Sequence, residues 1–122
     1  MENEPSAPAP LIDPDLVAEI RRIEQATGRT DVLSGFIRKL EGHVAAFPDE
    51  FSRCLARGDF AAAVRAAHTL KGTCRQLGAM ALGQLFSDIE RTAKDGDYAA
   101  ARERYDGGAA LIAESIEALK RA

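Results

Sequence analysis

The sequence predicts an all-α protein: an antiparallel four-helix bundle with an additional short N-terminal helix. Three observations predict it. Apolar residues recur at steps of three and four along most of the chain, and no alternating stretch of useful length suggests a strand. The chain has no Trp and only 6% aromatic residues, so its core is expected to be aliphatic and alanine-rich, which suits packed helices better than a β-sandwich. The joints between periodic segments are short and carry Gly, Asp or Pro, so successive helices should fold back on one another. A length of 122 residues fits one domain that buries about two-thirds of its unfolded surface.

Residues 1–10 hold three prolines among small and acidic residues and are expected to form a disordered tail ahead of a bundle over residues 11–122. Asp13-Pro14 starts the first helix, with an N-cap aspartate and a proline in the first turn. Leu16, Val17, Ile20 and Ile23 give it a stripe, and Thr27-Gly28 closes it. Thr30 or Asp31 caps the second helix, whose stripe runs through Val32, Leu33, Phe36, Ile37, Leu40, Val44 and Phe47. Pro48 removes a backbone donor and disfavours helix at the residue before it, so this long arm should kink or break there before Phe51, Cys54 and Leu55 resume the pattern.

Gly58-Asp59 marks the next joint, a terminal glycine followed by an N-cap aspartate, and Gly96-Asp97 repeats the device. The likeness extends from Gly58-Asp59-Phe60-Ala61-Ala62-Ala63 to Gly96-Asp97-Tyr98-Ala99-Ala100-Ala101. Nothing else repeats, so we read a reused joint rather than a duplicated unit. A fourth helix is expected from about Ala81 to Asp95, with Leu82, Leu85, Phe86 and Ile89 inward. A last one runs from Tyr98 towards Leu119, with Tyr105, Leu111, Ile112, Ile116 and Leu119 inward and a bend at Gly107-Gly108.

The third helix carries the stretch of most interest, Ala66 to Gly78. Phe60, Val64, Ala67, Leu70, Cys74 and Leu77 form its apolar stripe. At 100° per residue His68 falls roughly 110° from the centre of that stripe, on the solvent margin. Lys71 and Gly72 follow at i+3 and i+4 and neighbour the imidazole. Glycine inside a helix costs about 1 kcal/mol relative to alanine. A chain that uses alanine freely therefore has a reason for a missing side chain beside His68, and the simplest reason is close approach of another macromolecule or of a bulky group on the ring. Gly78 suits a left-handed stop.

His68-Thr69-Leu70-Lys71-Gly72, followed by five residues and Gly78, resembles the signature of the histidine-containing phosphotransfer (HPt) domain, His-x-Leu-Lys-Gly-x5-Gly, at every defined position. The similarity in helix layout covers roughly Leu11 to the last residue. It implies a stand-alone phosphocarrier of a two-component phosphorelay, a phosphoprotein rather than an enzyme. His68 would be the phosphoacceptor, forming phosphohistidine through its unprotonated ring nitrogen. Lys71 would hold phosphoryl oxygens, which suits a transfer dominated by positioning and charge neutralisation. Glu90 comes near the level of His68 on the returning helix. The resemblance makes it the group that hydrogen-bonds the other ring nitrogen and leaves Nε2 free to attack. Lys94, one turn on, would add positive charge near the phosphoryl group. Arg75, two turns after His68, would contact an acidic partner, and Gly72 would leave room for that partner. His43 has no Lys-Gly beside it and is read as structural or incidental.

The partners so implied are the receiver domains of a hybrid histidine kinase and of response regulators. Phosphate would pass from a receiver aspartate to His68 and on to another receiver aspartate. There is no Gly-x4-Gly-Lys-[Ser/Thr] loop and no room for an ATP-binding domain, so the chain should not phosphorylate itself. No cofactor is expected, and the Mg²⁺ of the reaction should sit on the receiver. The spacing of Cys54, Cys74, His43 and His68 fits no metal site, and the two cysteines are expected to be buried reduced thiols. A net charge of −3 gives no basic footprint for nucleic acid. No apolar run spans a membrane and no secretory signal is seen, so a cytoplasmic monomer is expected. The competing class is a non-catalytic helical adaptor that binds a signalling partner through the His68 face with the histidine unmodified.

Overall fold

Six helices account for the secondary structure of residues 10–122, which are those the computed structural model describes; among them there is no strand. They are α1 (Pro14–Thr27), α2 (Val32–Ala56), α3 (Phe60–Leu77), α4 (Met80–Lys94), α5 (Tyr98–Asp106) and α6 (Ala109–Arg121). The expected tail lies outside the described residues except for Pro10, and Pro10 is tied down. Its carbonyl accepts from the Ala81 N–H (3.0 Å), the Leu11 carbonyl from Met80 (3.1 Å), and Asp13 donates to the Gly78 carbonyl (2.8 Å). These bonds answer a local need, because α4 has no side-chain cap and its first N–H groups lack partners within the helix. Gly78 ends α3 with φ +90°, as its position predicts, and a Cβ there would also meet the Asp13 carbonyl oxygen at 3.2 Å.

The stripe of α1 is narrower than expected. Val17 and Ile20 are buried, but Leu16 and Ile23 are 37% and 49% exposed. The inward position one step past Ile23 belongs to Glu24, a residue that the apolar period does not mark. Its Oε2 accepts from the backbone N–H groups of Val32 and Leu33, both at 3.0 Å. Glu24 thus caps α2 from outside, while Asp31, one of the two expected caps, makes no side-chain capping bond and pairs with Arg29 instead. The Leu33 N–H and the Arg21 guanidinium hold the Glu24 carboxyl below the usual carboxylate range.

Of the kink or break expected at Pro48, the break is absent: α2 is one helix through the proline. Proline there leaves the carbonyl of Val44, four residues earlier, without its helical donor. The Tyr105 hydroxyl of α5 takes that carbonyl at 2.7 Å. The vacant bond is therefore satisfied from another helix, and the hydrophobic face of α2 stays in register on both sides of the proline. Burial pushes the Tyr105 hydroxyl above its ordinary pKa. Tyr105→Phe should cost about 1–3 kcal/mol, the range for stranding one buried carbonyl. In a Pro48→Ala background, where the helical donor returns, the same change should cost clearly less. Urea denaturation of the four proteins of this double-mutant cycle measures the coupling.

The core is not simply aliphatic. Phe47, Phe51 and Phe86 are fully buried, with ring centroids 5.3 Å apart for Phe47–Phe51 and for Phe47–Phe86. Tyr105 joins them, 5.4 Å from Phe47, so four of the seven aromatic rings gather in one cluster. Phe36 and Phe60, placed by periodicity in apolar stripes, are instead 46% and 48% exposed. Phe60 stacks on Tyr98 with centroids 5.0 Å apart. These are the aromatic residues of the two similar joints, whose aspartates make the same cap: Asp59 to Ala62 N at 3.1 Å and Asp97 to Ala100 N at 3.0 Å. The last expected helix is two helices, broken at Gly107-Gly108. A Cβ on Gly108 would meet Leu85 Cδ2 at 2.7 Å, so Leu85 occupies the space that any side chain there would need. Cys54 and Cys74 are buried free thiols.

Candidate functional site

Helix α3 packs most extensively on α4, and the two run in opposite directions from the joint at Gly78-Ala79. Near the joint the Arg75 side chain lies across the bare backbone of Gly83, whose Cβ, if present, would stand 3.0 Å from Arg75 Cγ. Seven residues back along α3 and seven forward along α4, the same register brings His68 to Glu90.

Ala67 and Leu70 anchor this part of α3 in the core, and Ile89 and Ala93 anchor α4. Between those anchors His68 points outward, with its side chain 62% exposed, while Glu90 beside Ile89 is only 4% exposed. Three donors converge on that buried carboxylate. His68 Nδ1 lies 2.9 Å from Oε2. Lys71 Nζ lies 2.7 Å from Oε1, and Lys94 Nζ lies 3.3 Å from Oε2. The lysines differ in setting: the side chain of Lys71 is 21% exposed and that of Lys94 is 62% exposed.

Burial alone would raise the Glu90 carboxyl. Hydrogen bonds from Lys71, His68 and Lys94 overcome it and hold the group down at about 2. Glu90 is therefore a carboxylate at neutral pH and can only accept. The bond to His68 then requires a proton on Nδ1, and in the neutral imidazole that leaves the lone pair on Nε2, facing solvent. With the ring neutral, two ammonium groups and one carboxylate give the cluster a net charge of +1. The linkage sign follows from the lowered pKa. Ionised Glu90 adds stability above the unfolded value, near 4.5, and that contribution is lost as pH falls towards 2. Urea midpoints of the parent and of Glu90→Gln should differ most at neutral pH and converge between pH 4.5 and about 2, a window set by those two values.

Gly72 stands one turn beyond His68, and a Cβ built on it meets nothing within 4 Å. Packing against a neighbouring helix is therefore not the reason for this glycine. On the α2 side of the same strip lies a groove lined by Ile20, Phe36, Leu40 and His43, with Gln76 of α3 at its edge. His43 belongs to this groove and is not among the contacts of Glu90. Of the expected site residues, His68, Lys71, Glu90 and Lys94 come together, and Arg75 and Gly72 lie on the same exposed side of α3. Lys71, expected to hold phosphoryl oxygens, pairs instead with Glu90 in the unphosphorylated protein. No periodicity signals this, because it depends on the rotation of α4 against α3.

A family model described as Hpt domain matches residues 14–122. No curated protein and no solved structure matches the chain.

Proposed function

The chain belongs to the Hpt domain family, and with its phosphotransfer role in two-component phosphorelays as premise, we propose that His68 is the residue that carries the phosphoryl group. The observation that carries this reading is the bond from His68 Nδ1 to the ionised Glu90, which leaves an exposed Nε2 with a free lone pair. In the proposed step Nε2 attacks the phosphorus of a receiver's aspartyl phosphate. An N–P bond forms as the P–O bond breaks, and the receiver's carboxylate departs with the electron pair. No proton has to leave Nε2, because it carries none. The ring becomes an imidazolium whose Nδ1–H remains on Glu90, so the buried carboxylate stabilises the charge that develops during transfer. The same steps reversed deliver the group to the aspartate of another receiver.

The scaffold we propose for this is an antiparallel four-helix core built from α2, α3, α4 and the α5–α6 pair, with α1 added across one end. The receiver approaches over the strip from His68 past Gly72, with the adjoining groove at Phe36 taking its apolar contacts and Arg75 an acidic one. The Mg²⁺ of the transfer sits on the receiver, and the relay works in the cytoplasm as a monomer. No helix among the described residues is long and apolar enough to cross a membrane. Incubation with phosphorylated receivers encoded in the same genome tests the proposal. Acid-labile, base-stable phosphate should pass to this chain and then to a second receiver. Receiver binding without any transfer of phosphate would make the chain an adaptor instead.

A further inference from the structure

The two lysines at Glu90 invite different uses. We infer that Lys71 is a positioning residue, which holds Glu90 in place for His68, and that Lys94 is the cation that moves to the phosphoryl group; this rests on the phosphocarrier reading above. Lys71 has Oε1 of Glu90 to itself at 2.7 Å, on a side chain that is 21% exposed. Lys94 shares Oε2 with His68, reaches it at 3.3 Å, and is 62% exposed. An ammonium has three N–H groups, but a cation that swings out to the phosphoryl oxygens gives up some of its hold on Glu90. If Lys71 left, a carboxylate that is 4% exposed would lose its shortest and least solvated partner, and one oxygen would have none among the described residues. If Lys94 left, both oxygens would keep a donor, Lys71 on Oε1 and His68 on Oε2.

Chemistry at the ring sharpens the division. Once Nε2 bears a phosphoryl group, the imidazolium strengthens its own bond to Oε2, so Lys94 becomes the dispensable donor at that oxygen. Its ammonium then meets a dianion on a flexible exposed stem one turn from Glu90. The +1 of the resting cluster is thereby converted into a contact with the charge that arrives. Lys71, the lysine of the His-x-Leu-Lys-Gly stretch, never needs to touch phosphate in this scheme.

Phosphoramidate, a small-molecule donor of phosphoryl groups to histidine, tests the division without a receiver. Nε2 forms the N–P bond as the donor's own P–N bond breaks and ammonia leaves. The first readout is the His68 tautomer in the unphosphorylated protein, from nitrogen NMR of the labelled imidazoles in a His43→Gln background. The second is the rate of labelling. Lys71→Gln should shift His68 away from the pure Nδ1–H tautomer, and Lys71→Arg should restore it. Lys94→Gln should leave the tautomer unchanged yet slow labelling by about tenfold or more. An unchanged tautomer in Lys71→Gln overturns the inference, as does a Lys94→Gln rate within about twofold of the parent. A parent that takes no label at all would remove the phosphocarrier reading itself, while the tautomer spectra would still decide what Lys71 does.

Discussion

Replacing His68 by glutamine should abolish phosphate acceptance and leave the fold nearly untouched. The imidazole is 62% exposed, and its hydrogen bond is the one from Nδ1 to Glu90. Glutamine can still donate an N–H towards the carboxylate, and Lys71 and Lys94 remain on it, so the change in stability should stay within about 0.5 kcal/mol. An amide nitrogen has no lone pair available for attack on phosphorus, so the loss of transfer should be complete rather than partial. Melting curves and labelling by a phosphorylated receiver, run on the same preparations, separate the two effects. Undiminished labelling of the variant would move the phosphate to another residue, with His43 in the apolar groove the first to examine.

Gly72 should give the second large effect, with opposite signs for stability and function. Beyond the backbone of its own helix, no neighbouring atom lies within 4 Å of the position its Cβ would take. Alanine at this helical position should therefore stabilise α3 by up to about 1 kcal/mol, because the unfolded chain loses freedom and the folded one gains no clash. Leucine should likewise keep or raise the melting temperature. Both side chains would project beside His68 into the path of a receiver. Gly72→Leu should then cut phosphotransfer and receiver binding sharply, and Gly72→Ala should do so more mildly. Lower melting temperatures with normal transfer by the folded fraction would show that the gap serves the bundle and not the partner.

What could be read from the residues, and what could not, divides along a physical line. Local chemistry was legible. Asp13 and Pro14 start α1, Gly28 and Gly78 end helices in the left-handed region, and the two Gly-Asp joints build the same cap. The apolar stripe places His68 on the solvent margin of α3, and counting back from the joint brings Glu90 to its level. Features that depend on a second helix were not legible. Pro48 argues for a break in any isolated helix, and only the hydroxyl of Tyr105, 61 residues in sequence from the Val44 carbonyl it bonds, removes the reason for one. Glu24 reads as a surface glutamate until α2 presents two unpaired N–H groups to it. Phe36 and Phe60 satisfy the helical period, yet the period only says which face they share, not whether a partner covers that part of the face. The same holds at the site. Lys71 neighbours His68 by spacing alone, and its commitment to Glu90 follows from how deeply α4 places that carboxylate.

Transfer depends on one atom, Nε2 of His68, being the nucleophile because Nδ1 is held as a donor to Glu90. Phosphorus and nitrogen NMR of the phosphorylated protein, prepared with labelled imidazoles, locates the N–P bond directly. A phosphoryl group on Nε2 of His68, with the proton retained on Nδ1, is the predicted result. Phosphate on Nδ1, on His43 or on no histidine would contradict it.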